Sequence, residues 1–132
     1  MHLHISPADG LPIYQQIVQQ IKTQVAAGRL AAGEELPPIR VLAEQLLVNA
    51  NTVARAYREL AEAGVLTNRR TAGTVVADGA APRAQEQCLD ALAESVDILL
   101  AEARQADLGV DGLIDLLRKR DQAARKRREK SS

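Results

Sequence analysis

Apolar residues recur along most of this chain at the three- and four-residue steps of an α-helix. From about Leu11 to Ala27, Ile13, Tyr14, Ile17, Val18, Ile21 and Val25 share one face. The other face, Gln15, Gln16, Gln19, Gln20, Lys22 and Gln24, is polar but weakly charged, and Gly28 suits the residue just past the helix end. Arg29 to Glu35 reads as a connector, with a bridge-like strand expected at Leu30-Ala31. Pro37-Pro38 then opens a second helix, where a missing N–H costs nothing. Its apolar stripe is Ile39, Leu42, Ala43, Leu46 and Leu47, and a third helix carries Val53, Ala56, Tyr57 and Leu60. Between them lies Val48-Asn49-Ala50-Asn51, where an Asn can cap the helix that follows. A connection this short disfavours antiparallel packing. It predicts a helix-turn-helix over Leu36–Ala63.

Gly64 sits where a helix stop belongs, and two β-prone runs follow it, Val65-Leu66-Thr67 and Thr74-Val75-Val76-Ala77. They flank Asn68-Arg69-Arg70-Thr71-Ala72-Gly73, a basic turn, so a hairpin is expected directly after the third helix: a wing. At the other end, His2 to Ile5 alternates and reads as a short strand or an extended arm. Ser6, Pro7, Asp9, Gly10 and Pro12 mark a turn and a helix start. Asp78 to Arg83 has a linker's composition. From about Ala84 the series Leu89, Leu92, Val96, Leu99, Ala103, Ala106 steps by heptads and calls for a partner helix. Asp107 to Gly112 breaks it. A last helix from about Asp111 carries Leu113, Ile114, Leu116 and Leu117, then enters a basic tail expected to fray.

Two such helices cannot enclose a core alone. Dimerisation is therefore expected through Leu89, Leu92, Val96, Leu99, Leu113, Leu116 and Leu117. The fold class that follows is mainly α with a small β-hairpin: a winged helix-turn-helix domain over residues 1–78, a linker at 79–83, and a two-helix dimerisation region with a basic tail over 84–132.

Composition narrows the function. Apolar residues make up 46% of the 132, enough for a folded core, and that core is aliphatic, with two Tyr and neither Phe nor Trp. No run reaches the roughly 18 apolar residues that span a bilayer, and the first residues lack a signal peptide's pattern, so no membrane partner and a cytoplasmic location are expected. The single Cys88 permits no disulfide within the chain. Net charge is zero but segregated. Residues 40–75 carry +2, residues 86–115 carry −7, and residues 118–130 carry +6. A neutral total thus hides a basic face and a basic tail, which either holds DNA without sequence preference or pairs with the acidic helix.

With the apolar side of the third helix turned inward, Asn51, Arg55, Arg58 and Glu62 face outward at 100° per residue. Asn can bond adenine N6 and N7 together, and Arg guanine O6 and N7, each worth about 1–3 kcal/mol of discrimination. Asn49 and Thr52 suit phosphates at the helix N-terminus. The blander account makes Asn49 a plain cap and pairs Arg55 and Arg58 with Glu59 or Glu62. Arg40 starts its helix against the dipole, which a DNA phosphate explains, as does an ion pair with Glu34, Glu35 or Glu44. Arg69 and Arg70 at the hairpin tip suit the minor groove or phosphates, with Gly73 allowing close approach and Thr74 beside it; an ordinary basic turn is the alternative. His2 and His4 lack further ligands, so no metal site is expected, and no catalytic grouping or cofactor motif stands out.

The chain resembles the GntR family of bacterial transcription regulators. The resemblance rests on Pro12-Ile13-Tyr14-Gln15-Gln16-Ile17, Gly28-Arg29-Leu30, and Gly33-Glu34-Glu35-Leu36-Pro37-Pro38-Ile39-Arg40. It continues through Leu42-Ala43, Asn51-Thr52-Val53, Ala56-Tyr57-Arg58-Glu59-Leu60, Gly64 and Arg69-Arg70 to Gly73-Thr74. The short two-helix remainder resembles the YtrA subfamily. This implies a winged-helix head, a homodimer, and a palindromic double-stranded operator bound usually as a repressor, with transporter genes as frequent targets and a small-molecule effector of unknown identity. It implies DNA contacts by Arg40, by the start of the third helix and by the wing. Alanines stand at Ala50 and Ala54, where some relatives have Arg, so base reading shifts to Asn51, Arg55 and the wing. The competing function is an architectural or RNA-binding winged helix without operator specificity; an enzyme is not expected.

Overall fold

Helix α1 (Ile13–Ala26) supplies the floor of the first unit, Met1–Leu89. Ile17, Val18, Ile21 and Val25 are buried on one side of it, and Gly28, at φ 79°, ends it as the connector's N–H groups return to Gln24 and Val25 carbonyls. The computed structural model describes residues 1–7 and 10–131, the last without its side chain; the expected turn residue Asp9 lies outside them. Among the described residues no helix is long and apolar enough to cross a membrane.

The polar face of α1 is not simply solvated. Gln16 is buried, and with Gln20 and Gln24 it forms a ladder that holds the N-terminal arm. Gln16 accepts from the Ser6 N–H and donates to the Ser6 carbonyl, both at 2.8 Å. Gln20 does the same for His4, at 2.8 and 2.6 Å, and Gln24 donates to the His2 carbonyl at 2.8 Å. The geometry is commensurate: four helical residues rise about 6 Å and two extended residues about 6.6 Å. The arm thus runs antiparallel to the helix without being a strand, and Leu3 is delivered into the core.

Helices α2 (Ile39–Leu46) and α3 (Ala50–Glu62) form the helix-turn-helix. Leu42, Ala43, Val53, Ala56, Tyr57 and Leu60 are buried in the core that these helices share with α1. Leu47 departs from the expected stripe. It takes the left-handed conformation, φ 57°, that lets the chain leave α2, and its side chain is 91% exposed. Asn49 caps α3, its Oδ1 accepting from the Asn51 N–H at 2.8 Å. Tyr57 donates to the Pro37 carbonyl at 2.7 Å, and burial pushes its phenol up to about 12.

Strands β1 (Leu66–Arg69) and β2 (Gly73–Val76) pair antiparallel, Leu66 opposite Val76. The bridge expected at Leu30-Ala31 lies instead at Glu35, opposite Val75. Around it Gly33 donates to the Val76 carbonyl, Val76 to Glu34 and Leu36 to Thr74, at 2.8–2.9 Å. The hairpin gains a third strand-like edge from the segment before α2.

The segment 79–83, expected as a linker, is helical from Ala80, the start of α4 (Ala80–Gln105). Composition misleads here because Ala80 and Ala84 are small enough to bury completely in the core. Three side chains of this start satisfy carbonyls at other helix ends. Arg83 donates to Gly64 at 2.9 Å, Gln87 to Ala63 at 3.0 Å and Gln85 to Ala26 at 3.1 Å.

The second unit, from Asp90, holds the rest of α4 and α5 (Val110–Ser131). Asp107, at φ 56°, makes the turn, and Leu108 lies over Gly112, where any Cβ would meet it. Leu113, expected at a dimer seam, is buried in its own chain beside this turn, as is Ala103. Leu92, Val96, Leu116 and Leu117 stay exposed, as does Leu89 at the end of the first unit. The tail expected to fray continues α5 through Ser131.

Candidate nucleic-acid interface

The outward face of α3 is set by its four buried residues, which leave Asn51, Arg55 and Arg58 exposed. Among the described residues Asn51 and Arg58 find no side-chain hydrogen bond or ion pair, and both side chains are exposed. The Arg58–Glu62 pairing of the blander account does not form. Thr52 is half-buried, its N–H taken by the Asn49 carbonyl at 3.0 Å. Asn49 performs its capping role with the side chain still exposed.

Arg55 is engaged. Its guanidinium carbon lies 3.8 Å from the centre of the Tyr14 ring, one amino group donates to the Tyr14 hydroxyl at 3.1 Å, and Glu59 stands 4.0 Å from Nε. Gln15 also donates to that hydroxyl, at 3.1 Å. Periodicity places Tyr14 on the apolar face of α1. It serves there as a half-buried platform between helices, a role that a lone phenol in an aliphatic core could have signalled.

On its other side α3 borders an open groove of about 390 Å³, walled by Ala54, Arg58 and Ala61 and by Thr67, Asn68 and Thr74 of the hairpin. The two alanines keep it open. Thr74 is tied down, donating to the Asn68 Oδ1 at 2.9 Å, which braces the two strands. Arg69 turns back, 3.5 Å from Asp78 and close to Gly33, while Arg70 is exposed at the tip. Gly73, at φ 75° with nothing near a would-be Cβ, is required by the turn itself. Arg40 lies exposed in the first turn of α2, and none of the ion pairs offered by Glu34, Glu35 or Glu44 forms. Its unfavourable place against the helix dipole therefore has no internal compensation.

Three helices, a capped turn, a basic hairpin and an exposed polar recognition face define a winged helix-turn-helix protein. Comparison with known proteins agrees. Residues 13–76 match the family described as bacterial regulatory proteins, gntR family. The transcriptional repressor YtrA of Bacillus subtilis (strain 168) is 32% identical over 111 residues, 84% of this chain and 85% of that protein. A GntR family transcriptional regulator from Listeria monocytogenes superposes with a TM-score of 0.69 at 31% identity, covering 84% of this chain and 96% of that one. The DNA-binding domain of AraR, solved in complex with operator ORX1, has a TM-score of 0.51 at 27% identity, over 58% of this chain and 99% of that one. The chain belongs to the GntR family of bacterial transcription regulators and resembles YtrA within it. It is a DNA-binding transcriptional regulator.

Proposed function

We propose that the chain is a repressor that binds a two-fold symmetric operator as a homodimer. The observation that carries this reading is the outer face of α3. Asn51 and Arg58 are exposed with no internal partner, beside an open groove and a basic wing. Polar side chains left in that state on the second helix of a helix-turn-helix are suited to base edges. Arg40, Asn49, Thr52, Arg69, Arg70, Gly73 and Thr74 would serve phosphates and groove walls around them. The name of the Bacillus subtilis relative supports repression. The exposed Leu89, Leu92, Val96, Leu116 and Leu117, with a half-buried Leu99 among them, support self-association, since Leu89, Leu92 and Leu117 are each more than half exposed. A small-molecule effector would act through the spacing of the two heads, and transporter genes are the expected targets from the resemblance to the YtrA subfamily.

Selection of bound duplexes from a random pool tests this. Recovery of a site with two inverted halves about one helical turn apart, or a multiple of it, is the expected outcome. Recovery of no consensus would favour a winged helix that binds nucleic acid without operator preference and would overturn the proposal.

A further inference from the structure

Helix α5 holds a second charged surface. Beyond Leu117 it continues for residues 118–131 with no apolar side chain larger than alanine, a rod about 20 Å long. A stretch of this kind has no core to join. At 100° per residue Lys119, Ala123, Lys126 and Lys130 fall along one line, with Arg120 and Arg127 flanking it. Of the two carboxylates of this stretch, Asp121 projects from the opposite side, where it pairs with Arg125 at 3.2 Å, while Glu129 stands at one edge of the lysine face, across from Arg127. No carboxylate of residues 118–131 falls on the lysine line itself, and Ala123 at its middle leaves room for close approach.

We propose that this face of α5 grips the phosphates of duplex DNA without reading sequence, as a second contact separate from α3 and the wing. The proposal rests on the DNA-binding reading of the chain. A polyanion fits better than a second copy of the acidic helix. Asp90, Glu94 and Asp97 of α4 lie off the Leu92–Val96–Leu99 stripe, so a copy docking on that stripe would not bring lysines onto them. The absence of an apolar face argues against burial in a lipid surface. The three lysines span about 16 Å along the helix axis, while each DNA strand offers a phosphate about every 3.4 Å of its own axis.

The test uses the full chain and the variant Lys119→Gln/Lys126→Gln/Lys130→Gln, which preserves helix propensity. Affinity for a random-sequence duplex is measured across a salt series. Three lost phosphate contacts should reduce the slope of log affinity against log salt by up to about 2.7, with affinity at low salt falling more than tenfold. Arg118→Gln/Arg125→Gln, on the other side, should change the slope much less. An unchanged slope in the lysine variant overturns the proposal, as does an equal loss from the opposite-face variant, which would report total charge alone. A dimer that dissociates in sedimentation with its slope intact would assign the lysines to a second copy and also overturn it. Preference for a selected operator over random DNA should survive in every variant. Its absence from the parent chain would instead fail the operator reading, while the slopes still report on α5.

Discussion

Tyr14 and Arg55 pose a question whose answer has a definite sign. Arg55 is stacked on Tyr14 at 3.8 Å and donates to its hydroxyl at 3.1 Å, so a long, rotamer-rich side chain is already ordered on the recognition helix before DNA arrives. If Arg55 engages DNA from that position, the stacking and the hydrogen bond exist both free and bound and cancel in the affinity. What Tyr14 then contributes is the ordering itself, about 0.5–1.5 kcal/mol for an immobilised side chain. Tyr14→Leu, which keeps most of the packing volume, should therefore weaken operator binding roughly 2- to 12-fold. Arg55→Ala should weaken it more, and in that background Tyr14→Leu should have almost no further effect. The assay is a double-mutant cycle on dissociation constants from fluorescence anisotropy, run well below the melting temperature of every variant. Had Arg55 to leave the ring to reach a base, it would surrender about 0.5–1 kcal/mol of cation–π attraction and a hydrogen bond of similar size. Tyr14→Leu would then tighten binding. A tighter complex, or losses that add within about 0.5 kcal/mol, would refute a preorganised Arg55.

Gly64 ends α3 at φ 78°, and an added Cβ would lie 3.3 Å from the Arg83 side chain that binds the Gly64 carbonyl. Gly64→Ala should lose about 1–2 kcal/mol from left-handed strain, read calorimetrically as a fall of several degrees in Tm; an unchanged Tm would contradict it. Leu47→Gly should do the reverse, raising Tm by a few degrees, because a left-handed Leu that is 91% exposed relinquishes strain and almost no burial. Tyr57 titrates near 12 in the fold against 10.0 outside it, so the unfolded chain loses this proton first as pH rises. The stabilisation is complete below pH 10.0 and is lost as pH climbs from there to about 12. Urea melts of Tyr57→Phe should lack that part of the decline and should show about 1 kcal/mol lower stability at neutral pH, where the Pro37 carbonyl loses its donor. Equal alkaline slopes for both proteins would exclude it.

Much of the fold was legible because its signals are local. The helical periods of Ile17–Val18–Ile21–Val25 and Val53–Ala56–Tyr57–Leu60, the Asn49 cap and the Gly28 and Gly64 stops each need only neighbours within a turn or two. The misreadings share a cause. Asp78–Arg83 has a linker's composition, yet Ala80 and Ala84 bury against helices distant in sequence. The glutamines of α1 read only as a polar, weakly charged face because nothing in their own stretch shows that an extended segment 10 to 22 residues earlier has backbone groups to offer. Arg55 reads as a free base reader until α1 is brought beside α3.

By itself the sequence determined that α1, α2 and α3 form, where the turn and hairpin fall, and which side of α3 faces outward, since periodicity and capping are properties of contiguous chain. Tertiary structure decided the state of the charged and polar groups on that surface. Among the described residues Arg40 and Arg58 have no ion partner, whereas Arg55 is held by Tyr14 and Arg69 by Asp78. Those pairings depend on distances between elements far apart in sequence, and a hydrogen bond or ion pair exists only within about 4 Å. Residue spacing along a helix carries no such information.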